Sequence, residues 1–267
     1  MNPYYSTPNG KLYCGDCLQI MPELEPVDLT ITSPPYDNLR NYKGYKFEFE
    51  NMANELFRVT KKGGVVIWVV NDATIKGSET GTSFKQALYF KDTGFNIHDT
   101  MIYKKLNYVP LTHNRYEQSF EYMFVFSKGT PNIFNPIKIP CKYPGKVEKY
   151  GLNRRQNHGK NHSMRLYKNT ELKATKVTKI SPNIFEYTLG REKTGHPAPF
   201  PEKLANDHII SWSNEHDTIF DPMAGSGTTL KMAEQLNRKW IGCETSEEYC
   251  EMIAKRVEQE RKQRKMF

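Results

Sequence analysis

The chain has 267 residues, of which 37% are hydrophobic and 25% charged, and a formal net charge of +8. That length suits one large α/β domain with an insertion, or two modest domains, each with a proper core. No stretch reaches the ~18 apolar residues of a membrane span, the polar start Met1-Asn-Pro-Tyr-Tyr-Ser-Thr-Pro does not read as a signal peptide, and the five scattered cysteines (Cys14, Cys17, Cys141, Cys243, Cys250) argue for reduced thiols over a disulfide framework. A soluble, cytoplasmic protein is expected. Cys14-Gly-Asp-Cys17 has the form of half a zinc or redox site, but the matching second pair that a structural zinc requires is missing.

Val27 to Thr32 is an apolar run of strand length. Phe47 to Thr60 has the apolar spacing of an amphipathic helix, and Gly64 to Val70 the near-continuous apolar character of a parallel strand buried on both faces. Thr82 to Phe90 reads as a helix, and Asn96 to Lys104 and Tyr122 to Ser127 as strands. Pro201 to Ser211 reads as a helix with Pro201 near its first turn. Asp217 to Phe220, Leu230 to Leu236, Trp240 to Cys243 and Ser246 to Arg264 then give strand, helix, strand, helix. The mixed charges of the last helix predict a solvated cover. This alternation predicts an α/β fold, a doubly wound and mostly parallel sheet with helices on both faces.

Two polar turns follow apolar strands. In Ser33-Pro34-Pro35-Tyr36 the prolines can neither continue a sheet nor start a helix, so backbone carbonyls are left free. A nucleobase amino group needs hydrogen-bond acceptors and a π face beside its ring; Ser33 Oγ, the Pro34 carbonyl and the Tyr36 ring offer both. The bland alternative is a surface turn. Far downstream, Asp221-Pro-Met-Ala-Gly-Ser-Gly-Thr228 is a glycine-rich turn entering a helix. Gly225 and Gly227 permit close backbone approach, and the helix N-terminus offers unpaired N–H groups, an arrangement suited to a carboxylate more than to a pyrophosphate. One helix later Lys239-Trp-Ile-Gly-Cys-Glu244 ends in an acid, where open α/β sheets place the carboxylate that grips ribose hydroxyls.

Charge is concentrated in one place. Between Lys138 and Lys179 stand twelve Lys or Arg against two acids, Glu148 and Glu171, so the rest of the chain is close to neutral. The block is interleaved with Tyr143, Tyr150, Tyr167, His158 and His162, the mixture expected of loops that touch phosphates and base edges. Residues 130–190 are read as a recognition region, with Arg154, Arg155, Asn157 and Arg165 as candidate DNA contacts. A solvated basic face is the bland alternative.

These motifs together resemble a β-class DNA amino-methyltransferase of the restriction-modification type, in their order as well as their residues: catalytic four, recognition region, cofactor loop. The resemblance implies a Rossmann-like, circularly permuted methyltransferase sheet whose catalytic half spans residues 1–129 and whose cofactor-binding half spans 191–267. It implies S-adenosyl-L-methionine as cofactor and double-stranded DNA as partner, and it allows a homodimer and a cognate endonuclease. Ser33, Pro34, Pro35 and Tyr36 would be catalytic. Asp221, Pro222, Met223, Gly225, Gly227 and Thr228 would hold the cofactor, with Met223 standing where the family often has Phe, and Glu244 would grip its ribose. Asp16 and Cys17, in Leu12-Tyr-Cys-Gly-Asp-Cys-Leu18, resemble the segment that receives the cofactor's adenine. His196, Phe200 and Pro201, in Gly195-His-Pro-Ala-Pro-Phe-Pro-Glu-Lys-Leu204, resemble the segment that packs over its methionine end. In the family Ser at the first catalytic position is usual for cytosine N4 and Asp for adenine N6, so cytosine is favoured and adenine is the alternative. Protein-glutamine and RNA methyltransferases carry the two motifs in the opposite order. A non-catalytic DNA-binding relative would be expected to lose Gly225, Gly227 or the Pro-Pro pair, and all are present.

Overall fold

The computed structural model describes residues 1–35, 47–108, 114–145, 147–148, 173–174, 176–188 and 201–264. Strands β1 (Tyr5–Ser6), β2 (Gly10–Cys14), β3 (Val27–Thr32), β4 (Thr60–Val70), β5 (Asn96–Lys105), β6 (Phe120–Ser127), β7 (Ile184–Tyr187), β8 (Thr218–Asp221) and β9 (Lys239–Glu244) form a nine-stranded sheet in the order β1-β2-β9-β8-β3-β4-β6-β5-β7. From β2 across to β4 every neighbouring pair is parallel, and so is β5 with β7; β1 and β6 run antiparallel to their neighbours.

The helices are α1 (Cys17–Ile20), α2 (Phe49–Val59), α3 (Thr82–Asp92), α4 (Glu202–Trp212), α5 (Thr228–Gln235) and α6 (Glu247–Arg264). The alternation of side chains along β4 explains its unbroken apolar run. Val66, Trp68 and Val70 pack under α2 and α3 with Met52, Leu56 and Phe90, while Val65, Ile67 and Val69 pack on the other face with Leu204, Leu230 and Ile253 from α4, α5 and α6.

Two windings diverge from the middle of this sheet. The chain leaves β3 through α2 to β4 on one side, and leaves β8 through α5 to β9 on the other. The boundary between β3 and β8 is therefore the topological switch point, outside whose carboxyl ends such sheets bind ligands.

Residues Pro136–Pro182 form a second compact unit. Its described parts are two antiparallel ladders, Lys138–Pro140 with Thr178–Ile180 and Val147–Glu148 with Lys173–Ala174. The unit is narrower than the 130–190 read from the sequence. Asn135 belongs with the sheet unit because its N–H donates to the Ser211 carbonyl at the end of α4, 2.8 Å away. β7, read as part of the basic region, instead extends the sheet beside β5.

Candidate cofactor and base site

The ends of β3 and β8 lie side by side, since Phe220 pairs with Thr30 in parallel register. Thr229, in the first turn of α5, donates its hydroxyl to the Ile31 carbonyl at 3.4 Å. Asp221 closes β8 and is buried. Its Oδ1 accepts from the Met223 N–H at 3.2 Å, a local turn that bends the chain out of the strand. Burial pushes the Asp221 carboxyl up to about 6, while the Thr229 and Thr32 hydroxyls and the Met223 N–H hold it down and the Glu244 charge raises it further. The buried Thr32 hydroxyl stands beside this carboxyl and reaches hydrogen-bond geometry to no partner among the described residues.

Past Asp221, Pro222 is buried and Met223 half-buried against the α2-side core. Gly225 and Gly227 have φ of +53° and +78°, in the region that favours glycine. Gly227 is also where α6 approaches, because a Cβ there would lie 2.8 Å from Ile253 Cγ1. Among the described residues no side chain caps α5, and its first helical bond is Lys231 N–H to the Gly227 carbonyl at 2.9 Å. The N–H groups of Thr228, Thr229 and Leu230 therefore have no partner within the helix.

Two further strand ends complete the edge. Glu244 ends β9, and its carboxylate accepts from the Gly225 N–H at 2.8 Å and the Ser246 N–H at 2.9 Å. Burial raises its pKa and these N–H groups lower it. Cys14 pairs with Glu244 across β2 and β9, and Gly15 N–H reaches the Glu244 carbonyl at 2.8 Å. Asp16 follows, half-buried, capping α1 through Leu18 N–H at 2.9 Å. Cys17 is sealed in the α2-side core, where burial pushes its thiol up to about 12 with the Asp16 charge adding to the rise, so this turn presents Asp16 and not the thiol.

Ser33, Pro34 and Pro35 leave β3 directly, with Pro34 buried and its neighbours half-buried. Pro201 is buried and serves as the N-cap of α4, one residue before the helix it was expected to open. Tyr36, His196, Phe200, Arg154, Arg155, Asn157 and Arg165 lie outside the described residues. The structure thus brings Ser33 to Pro35, Asp221 to Thr228, Glu244 and Asp16 to one edge of one sheet.

A family model described as DNA methylase, of the N6 and N4 methyltransferase class, matches residues 27–256. The chain belongs to this DNA methylase family. The methylase is 52% identical over 247 residues to the orphan methyltransferase M.BamHII of Bacillus amyloliquefaciens, across 91% of this chain and 90% of that protein. Among solved structures it is similar to PvuII DNA methyltransferase, described as cytosine-N4-specific, with a TM-score of 0.69 and 22% identity over 97% of this chain and 93% of that one. It is also similar to a DNA modification methylase of Thermus thermophilus complexed with S-adenosyl-L-methionine, with a TM-score of 0.63 and 22% identity over 93% of each chain. Those likenesses establish the fold of the methylase as the class I methyltransferase sheet.

Two features of the methylase edge were not singled out in the sequence. Asn71 and Asp72 follow β4, which is parallel to β3 with Thr32 opposite Trp68, and so stand on the far side of the Ser33–Pro35 turn from the Asp221–Thr228 loop. Asn71 Oδ1 accepts from Gln118 Nε2 and from Asp72 N–H, both at 2.9 Å. Asp72 is buried and accepts from the Ser83 N–H at 2.9 Å and the Ser83 hydroxyl at 2.5 Å, anchoring α3. Their signal was two polar residues directly after a long apolar strand. The second feature is Arg256 of α6, which reaches the glycine loop.

Proposed function

We propose that this methylase transfers the methyl group of S-adenosylmethionine to the exocyclic N4 of a cytosine flipped out of double-stranded DNA. The observation that carries the reading is the adjacency of the Ser33–Pro35 turn and the Asp221–Thr228 loop on neighbouring parallel strands at the switch point. The residues fit the cofactor. The loop glycines and the first-turn N–H groups of α5, which the helix itself leaves without partners, suit its carboxylate. Glu244 suits the ribose hydroxyls and Asp16 the adenine amino group.

When bound, the cofactor supplies a sulfonium methyl that is already electrophilic. The task left to the protein is the nucleophile, an amino nitrogen whose lone pair is delocalised into the ring. Ser33 Oγ and the Pro34 carbonyl, accepting off the ring plane, favour a pyramidal nitrogen and free that pair; Tyr36 stacks on the ring. Holding nitrogen and methyl ~3 to 3.5 Å apart in line supplies much of the acceleration. Ser33 is too weak a base to deprotonate the amine first, so the proton leaves after transfer. Extruding the base costs a few kcal/mol, offset by phosphate and base contacts that we assign to Arg154, Arg155, Asn157 and Arg165.

Ser33 at the first catalytic position supports cytosine over adenine. Double-stranded DNA is the one macromolecular partner this reaction requires, and the likeness to an orphan methyltransferase favours action without a companion endonuclease. Mass spectrometry of nucleosides from DNA incubated with the protein and labelled cofactor tests the reading. N4-methylcytosine is the expected product, abolished by Tyr36→Ala with cofactor binding retained. N6-methyladenine would replace the target base, and no labelled base would overturn the reading.

A further inference from the structure

The glycine loop is held from behind by a charged side chain that belongs to none of its motifs. Arg256, in the third turn of α6, donates from Nη1 to the Ser226 carbonyl at 2.5 Å and from Nη2 to Glu202 Oε1 at 2.9 Å. Lys231 of α5 donates Nζ to the same Glu202 oxygen at 2.7 Å. The three side chains are only 13%, 34% and 18% exposed for Arg256, Glu202 and Lys231, so their charges are less screened than surface charges are.

The contact on Ser226 has a specific geometric effect. Ser226 lies between two glycines at positive φ, residues that accept either sign of φ and so would let the peptide between them rotate at little cost. In the structure both polar ends of the 226–227 peptide are fixed: the carbonyl by Arg256, and the Gly227 N–H by the Ala224 carbonyl at 2.7 Å. A rotated peptide would turn a partial negative charge towards the site of an anionic ligand and move the start of α5.

We propose that Arg256 is a positioning residue for the cofactor: by holding the Ser226 carbonyl on the α6 side, it presents the N–H groups of the loop and of the first turn of α5 to the carboxylate at the methionine end. This rests on the cofactor reading above and adds to it a residue outside the motif set. The test is calorimetric binding of S-adenosylhomocysteine, which carries that carboxylate, and of 5′-methylthioadenosine, which lacks it. Arg256→Ala is expected to weaken S-adenosylhomocysteine about tenfold and leave methylthioadenosine within about twofold. The cofactor KM should rise with kcat at saturation and the DNA KM little changed. Arg256→Lys, which keeps the charge and most of the volume, is expected to lose about threefold for the first ligand and nothing for the second. Equal losses for both ligands in either variant, or no loss for either, would overturn the proposal while the cofactor reading stands. Wild-type protein that binds neither nucleoside would overturn the cofactor reading, and this proposal with it.

Discussion

Gly225 donates its backbone N–H to Glu244 Oε2 at 2.8 Å, so the loop after β8 is fastened to the acid that ends β9. The other carboxylate oxygen is taken by Ser246 N–H at 2.9 Å. Glu244→Gln keeps one acceptor but turns an NH2 group towards one of these two donors. Its affinity for S-adenosylmethionine should fall about tenfold or more, roughly the cost of one buried unpaired donor, with kcat at saturating cofactor little altered. Calorimetry with steady-state kinetics checks this, and unchanged affinity would separate Glu244 from the ribose.

Asp221 should make the ligand-free protein less stable above pH 6 than at pH 4. Its pKa rises from 3.8 in the open chain to about 6 in the fold, burial being the main cause. The ionised group therefore costs stability above pH 6, and the cost disappears as pH falls below about 4. Asp221→Asn should stabilise the ligand-free protein at pH 8 by about 1–3 kcal/mol and change nothing at pH 4, while weakening cofactor binding. Denaturant melts across that range decide it; a variant less stable at pH 8 contradicts the account.

His208 has the opposite sign. Burial lowers its pKa from 6.5 to about 4, against the pull of the Asp207 charge, and its Nε2 contacts Met123 Sδ at 3.3 Å. The neutral ring is fully accommodated above pH 6.5, and stability is lost as pH falls towards 4, because the unfolded chain takes up the proton first. His208→Leu should flatten the loss of thermal stability between pH 6.5 and 4. An unaltered slope would place the acid sensitivity on other groups.

Gly227→Ala combines two faults, a φ of +78° and a Cβ 2.8 Å from Ile253. A loss of about 1–3 kcal/mol is expected. Adding Ile253→Ala in the same chain should make the two changes less than additive, since it removes the collision but leaves the backbone strain. Strictly additive melting shifts would show that the collision is absent.

The alternation of strand and helix was legible because β4 ends in an unbroken apolar run and α2 carries a clear amphipathic stripe. Most boundaries move by one or two residues, although β4 starts at Thr60 and not Gly64; α5 starts at Thr228 and not Leu230, with the left-handed Gly227 as its N-cap. β2 reads as a motif and not as a strand, since Lys11 and Cys14 are exposed and its pairing needs β9 from the far end of the chain. β7 is hidden in the basic region because only Tyr187 of its four residues is buried. Asp16, Asp221 and Glu244 come from motifs and sit together, whereas Arg256 is invisible among the mixed charges of α6. The helix proves more than a cover: Ile253 and Val257 are buried on either side of Arg256, and no local pattern tells which cation between them turns inward.

Strand order has a consequence for biogenesis. β8 and β9 occupy the gap between β2 and β3, yet they are translated last among the strands of the sheet. A nascent chain emerging from the ribosome carries β2 and β3 with their facing backbone groups unsatisfied until Glu244 has been synthesised. During that interval these open edges invite pairing with other chains. Premature termination before Thr218 should accordingly yield aggregates or chaperone clients and no partly competent protein.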